Sequence, residues 1–299
     1  MFSLPYVTQQ FINAIILGSI YALVAIGLSM VYGILRLINF AHGDILMIGA
    51  YTGLFLLTIY KAPFAVVLIV PMVVGGLIGV IVERVAYRPL RKAPEVALLI
   101  TSLAVSMFIE NLAIMVLSPR PRRFLIPSFL SRSHFYGAIN FRNIDVLIVL
   151  LTIILVIVLT MFVKKTKVGI AMRATAESIN TSYLMGINVN NIIMLTFAIG
   201  SLLAGVAGMM FASKYGRIEP FMGFLPGLKA FVASVIGGIG SLPGAVVGGY
   251  ILGFAEIFFV GFLPPQLSGY RDGFVFLLLI IVLLIKPSGI FGQAEKREV

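Results

Sequence analysis

Residues 11–35 read FINAIILGSIYALVAIGLSMVYGIL, a run of 25 positions without a charge. As a helix rising about 1.5 Å per residue, it exceeds the roughly 30 Å hydrocarbon core of a bilayer. Comparable runs lie near 43–60, 63–83, 95–117, 145–163, 190–213, 226–240, 244–262 and 270–286, each bounded by charge or proline. The pattern predicts an all-α polytopic integral membrane protein with eight or nine transmembrane helices. Only 226–262 leaves the count open, because Gly237, Gly238, Gly240, Pro243 and Gly244 interrupt the run. Two short crossings are expected there, with one crossing plus a re-entrant piece as the alternative, and broken or short helices are expected near 37–44 and 236–244.

The composition agrees. Of 299 residues 60% are apolar and 11% charged, with a mean hydropathy of +1.10, where a soluble domain has about 45–50% and about 25%. The net charge of +11 would suggest nucleic acid in a soluble chain. Here the basic residues sit in short stretches between apolar runs, so membrane topology accounts for them and no nucleic-acid partner is expected. The absence of cysteine removes disulfides, thiolate metal sites and a cysteine nucleophile. With most of the chain in spans, residues 1–299 read as a single transmembrane domain.

No basic residue precedes Arg36, so no cleavable leader is expected and the first span is retained. The positive-inside rule then places the N-terminus outside and Arg36 in the cytoplasm. Threading nine spans puts 12 basic residues inside, Lys92, Lys296 and Arg297 among them, and 10 outside. The exception is 118–144, which holds five arginines and no acid in its proline-containing length up to Arg142, yet falls outside. That segment reads as an irregular or partly helical cap. Residues 164–189 read as helical with an amphipathic middle.

Enzyme chemistry has little to work with. No Gly-x-x-x-x-Gly-Lys-Ser/Thr loop is present to cradle a nucleotide, so the chain is not itself an ATPase. His42 and His134 stand 92 positions apart without metal-ligand spacing. Asp44, Asp145 and Asp272 all lie at span ends rather than paired in mid-membrane. No catalytic residue, metal or cofactor is expected, which leaves moving a solute or organising other proteins in the bilayer.

Four clusters carry the functional reading, each with a plainer alternative. Asn39, His42, Gly43 and Asp44 are polar or small residues squeezed between two apolar runs. They form either a turn with Asp44 capping the next helix or a helix break at the edge of a transport path. Gly237, Gly240 and Gly244 belong to a glycine-rich stretch that reads as tight helix packing or as a thin wall beside that path. Glu110 with Asn111, and Glu256, lie deep in apolar runs, where an ionisable group faces the bundle interior or a water-filled cavity. Both glutamates read alternatively as hydrogen-bonded structural groups. The basic 118–144 loop reads as a solvated or headgroup-facing surface.

The stretch Ile38-Asn39-Phe40-Ala41-His42-Gly43-Asp44, followed by Met47-x-Gly49-Ala50-Tyr51, resembles the signature of LivH-type permeases, membrane subunits of ABC importers for branched-chain amino acids. Arg173-Ala174-Thr175-Ala176-Glu177 leading to Met185-Gly186-Ile187 is similar to that family's cytoplasmic coupling segment. Residues 229–245 resemble its glycine-rich penultimate region. The three stretches fall in the N-terminal, middle and C-terminal thirds in family order.

The resemblance implies a second homologous permease, cytoplasmic P-loop ATPase subunits, an external solute-binding protein, and the cytoplasmic membrane of a bacterium or archaeon. It implies that Arg173, Ala174, Ala176, Glu177 and Gly186 couple to the ATPase. Ala174 and Ala176 are small enough to seat closely, Glu177 suits a basic partner, and Gly186 suits a left-handed helix end. Glu177 can instead pair with Arg173 at i,i+4 for about 0.2–0.5 kcal/mol. A surface amphipathic helix at the lipid headgroups is the plainer alternative for this segment. Arg120, Arg122 and Arg123 are implied as docking residues for acidic groups of the binding protein. The substrate is read as a branched-chain or similar amino acid, with urea, a short amide or another small polar solute as the alternative. An ATP-independent carrier or channel is a reading of another class, with only Glu110 and Glu256 to offer mid-membrane ion sites.

Overall fold

In the computed structural model, which describes residues 3–91 and 93–292, the apolar runs become helices at nearly the expected bounds. In chain order they are α1 (Leu4–Leu35), α2 (Ala41–Thr58), α3 (Phe64–Val82), α4 (Glu95–Leu117), α5 (Ser128–Ser131), α6 (Asn143–Lys165), α7 (Lys167–Glu177), α8 (Ile179–Leu184), α9 (Val189–Tyr215), α10 (Phe224–Gly237), α11 (Leu242–Phe262) and α12 (Arg271–Ile285). There are also four short strands, β1 (Arg122–Arg123), β2 (Ser133–Tyr136), β3 (Ile139–Arg142) and β4 (Arg217–Ile218), and short helical turns at Glu83–Tyr87, Arg88–Leu90 and Pro265–Tyr270. Lys92, Lys296 and Arg297, counted above among the inner basic residues, lie outside the described residues.

Among the described residues seven helices are long and apolar enough to cross a membrane: α1, α2, α3 with its extension to Leu90, α4, α6, α9 and α11. The region 226–262 does not form two short crossings. α11 has 21 residues and runs antiparallel to α1 along most of its length, whereas α10 has 14, roughly 21 Å of helix, too short to span alone. Gly238 and Gly240, at φ +105° and +85°, make the sharp corner between them, a conformation that glycine adopts without steric cost.

α1 is the axis of the molecule. Residues from Ile20 to Ile26 are all buried, and α1 packs against α6, α9, α10 and α11. Small residues let these backbones meet. A Cβ at Gly249 or Gly253 of α11 would strike the α1 backbone at Ala22 or Gly18, and one at Gly200 of α9 would strike Gly27. α2 and α9 cross at Gly49 and Gly205 in the same way. α4 and α6 lie outside this core and turn apolar faces outward, Phe108 at 67% exposure and Val158 at 58%.

The cap at 118–144 is irregular and partly helical as expected, with α5 inside it, and it also holds short paired strands that the sequence reading did not include. β2 and β3 form an antiparallel hairpin turned at Gly137, and β1 pairs with β4 more than 90 residues away. The hairpin is tied to the start of α1 through Gln9, whose side chain bonds both backbone groups of Asn140. Arg142 and Asp145 reach Lys214 at the end of α9. α7 and α8 lie at the opposite end, after Lys164 and Lys165 of α6 and before the start of α9. The expected single amphipathic segment there is two helices, broken at Ser178, whose hydroxyl accepts from the N–H of Thr181 and caps α8.

Candidate functional site: a broken-helix junction inside the bundle

The chain from Arg36 to Asp44 is a re-entrant break. α1 ends with Arg36 in the left-handed conformation (φ 52°), and the backbone returns beside it before α2 begins. The His42 ring lies against α1 one third of its length from its end: Nε2 is 3.2 Å from the Val24 carbonyl, and Gly27 faces the same ring. Eight to eleven residues separate that level from Leu35, so α2 starts about 12–16 Å inside the end of α1.

Side chains from the extension of α3 beyond Val82 and from α4 hold the broken segment. The Tyr87 hydroxyl donates to Asn39 Oδ1 at 2.8 Å, and the Phe40 N–H donates to Ser102 Oγ at 2.9 Å. Ser106, one turn further along α4, hydrogen-bonds Asp44, and Glu110, another turn on, acts on Asp44 electrostatically. Asn39, His42 and Asp44 are at most 1% exposed. Asn39 Nδ2, His42 Nδ1, Asp44 Oδ2 and Glu110 Oε1 have no hydrogen-bond partner among the described residues. Unmade hydrogen bonds at buried polar atoms are costly, and four such atoms gather around one helix start.

The same point receives a second helix start. The chain leaves β4, and Gly223 and Gly227 of the first turn of α10 pack directly on Gly43, where a Cβ on either side would meet backbone. Two helices thus begin side by side inside the bundle, each with a partial positive charge in its first turn.

On the far side of α10 lies a buried ion network. Lys229 Nζ is 2.9 Å from Glu256 Oε1 and 2.7 Å from Asp272 Oδ1, Arg271 Nε is 3.3 Å from Glu256, and the Tyr21 hydroxyl donates to Glu256 Oε2 at 2.7 Å. Lys229 and Glu256 are 3% and 2% exposed. The sequence offered Glu256 no partner, because Lys229 stands 27 positions away in another helix. Arg271 and Asp272 open α12 and join it to α10 and α11.

The structure separates the other expected residues. Asn111 is exposed, and its amide bonds back to the Met107 carbonyl, so it does not share the cluster of Asp44 and Glu110. Gly237 and Gly244 pack backbone on backbone at the α10–α11 corner, and Gly240 faces Gly33 of α1.

Arg173 and Glu177 are exposed and make no ion pair with each other among the described residues; Arg173 reaches the Lys164 carbonyl instead. Gly186 has φ +76°, the left-handed value expected for a helix end. Beside it Tyr183, Leu184 and Met185 stand 50%, 88% and 77% exposed. This apolar knob went unread in the sequence, since only packing shows which way α8 turns. Arg120, Arg122 and Arg123 are all exposed at the opposite end.

Comparison with known proteins places the chain among transporters. Residues 10–283 match the model of the branched-chain amino acid transport system permease component. The chain is 41% identical to the high-affinity branched-chain amino acid transport system permease protein BraD of Pseudomonas aeruginosa, over 97% of each chain. It is 39% identical to LivH of Escherichia coli K12, over 98% of each. With the probable LivH of Methanocaldococcus jannaschii it shares 31%, over 95% of this chain and 92% of that one. No solved structure matches it.

Proposed function

The chain belongs to the family of permease components of branched-chain amino acid transport systems, and from that premise we propose that it is the membrane-spanning subunit of an ATP-driven importer for branched-chain amino acids. It is an integral multi-pass protein and a transport subunit rather than an enzyme. The observation that carries the reading is likeness along 97–98% of both chains to permeases of high-affinity branched-chain amino acid systems. The chain has no nucleotide-binding loop, so energy comes from cytoplasmic P-loop ATPases, with a second permease and an external binding protein completing the machine in a bacterial or archaeal cytoplasmic membrane.

The geometry supports a division of labour between the two ends. α7 and α8 form a short lever outside the long helices, and α7 packs on α1, α6 and α9. An ATPase that closes on ATP would seat Tyr183, Leu184 and Met185 in its surface, with Arg173 and Glu177 at the rim, and push the lever as a rigid body. Motion of α7 would then reach α1, the axis against which the α2 break and α10 are packed. At the other end the exposed arginines Arg120, Arg122 and Arg123 suit acidic groups on a binding protein. Specificity rests largely on that protein, so the same machine fits urea or a short amide as the alternative cargo.

The test is uptake into vesicles holding the purified complex. ATP-dependent accumulation of labelled leucine, isoleucine and valine that requires the binding protein is expected. Accumulation of urea or an amide in their place would move the substrate to the alternative, and leucine uptake without ATP would remove the importer.

A further inference from the structure

One face of α2 carries Asp44, Met47, Ile48, Tyr51, Thr52 and Phe55, spaced at i, i+3, i+4, i+7, i+8 and i+11, a single helical stripe. It faces a stripe of α4 running from Ser106 through Ile109, Glu110 and Ala113 to Leu117. Between the two lies a cavity of about 240 Å³, walled by Met47, Ile48, Tyr51, Ile109, Leu112 and Ala113 among others. That is below the roughly 300–1,000 Å³ of drug-sized sites and suits one small molecule with an aliphatic chain.

The polar groups of the cleft are few and unpaired. Tyr51 is 3% exposed and lines the cavity, yet its hydroxyl has no hydrogen-bond partner among the described residues. Arg122 of β1 and Glu219, just after β4, lie within electrostatic range of that hydroxyl. Asp44, one turn before Met47 on α2, and Glu110, next to the lining residue Ile109 on α4, each leave one carboxyl oxygen likewise unpaired among the described residues. Two carboxyl groups near one another within an apolar bundle are costly unless a cation visits them.

Building on the importer reading above, we propose that the α2–α4 cleft is where this subunit holds its cargo in transit. The aliphatic side chain of the amino acid lies against Met47, Ile48, Ile109 and Ala113, and its ammonium is received by Asp44 and Glu110. The Tyr51 hydroxyl donates to the carboxylate at the outer part of the cleft. Leu112 at 47% and Val116 at 71% exposure leave the cleft open along α4, and in this proposal the second permease closes that side. An aliphatic zwitterion offers a chain to the apolar walls and charged groups to the unpaired polar side chains, whereas urea has no apolar portion for the walls.

The chain contains no cysteine, so single substitutions test the cleft. Ala113→Cys and Thr52→Cys stand on its two walls, and Met107→Cys on the exposed face of α4. In the reconstituted complex, a water-soluble cationic methanethiosulfonate is expected to modify the two wall variants about tenfold faster than Met107→Cys, because thiol reactivity requires water and ionisation. Cycling leucine, with binding protein and ATP present, is expected to slow that modification about threefold by occupying the site. Equal rates at all three positions, or full modification with leucine uptake intact, overturns the cleft. The cysteine-free complex separates the two readings: if it takes up no leucine the importer proposal fails, whereas leucine uptake with inert wall variants removes the cleft alone.

Discussion

Lys229 is the residue on which most depends beyond the helix break. It sits between two carboxylates with 3% of its surface exposed, and the local charge balances: Lys229 and Arg271 against Glu256 and Asp272. Removing one member of a buried ion set leaves an uncompensated charge and typically costs about 3–5 kcal/mol. Lys229→Met is therefore expected to lower the thermal stability of the detergent-solubilised protein strongly, and adding Glu256→Gln to recover most of the loss by restoring neutrality. A single variant as stable as the parent, or a double variant no better than the single, would contradict the network. Tyr21→Phe removes only a hydroxyl donor to Glu256, and a smaller loss of about 1.5–3 kcal/mol is expected for a hydrogen bond to a charged group.

At the scale of elements, α7–α8 and the 118–144 cap are the two that leave the helical bundle. Leu184 is 88% exposed and contributes little to the fold, so Leu184→Arg is expected to leave the thermal stability of the permease nearly unchanged. The same change should release the ATPase during purification in mild detergent, and Glu177→Arg should weaken the association less, being a rim charge. Retention of a full complement of ATPase by Leu184→Arg would place the contact elsewhere. In the cap, Arg122 and Arg123 are held in register by pairing with Ile218 and Arg217. Reversing both to Glu is expected to lower transport stimulated by the binding protein, more so at low ionic strength, where exposed charges act over a longer range. Stimulation unchanged by the reversal and insensitive to salt would remove the docking role.

For the whole molecule, the structure puts the cap and α7–α8 at opposite ends of the bundle, and we propose, from the basic cluster at Lys164 and Lys165, that the second end faces the cytoplasm. In sealed cells the variant Ser131→Cys is expected to react with a membrane-impermeant thiol reagent, and Met185→Cys only after the membrane is opened. The reverse pattern would invert the topology and take the ATPase contact away from α8.

The nine apolar runs were legible in the sequence because a bilayer admits few alternatives to a continuous apolar helix, and the observed helices begin and end within a few residues of those runs, apart from the N-terminal extension of α1. The break before α2 was legible for the same reason, since Asn39, His42 and Asp44 cannot face lipid unpaired. What hydropathy does not encode is neighbourhood. Lipid and protein interior are equally apolar, so a membrane helix does not announce which face packs and which meets lipid. The Lys229–Glu256 contact, the pairing of β1 with β4 and the outward turn of Tyr183, Leu184 and Met185 were for that reason decided only by the tertiary structure. The sequence by itself determined that the chain crosses the membrane many times and where it breaks; packing alone brought the start of α10 onto the start of α2 and aligned α4 beside them, because close approach of glycine backbones depends on residues nearly two hundred positions apart.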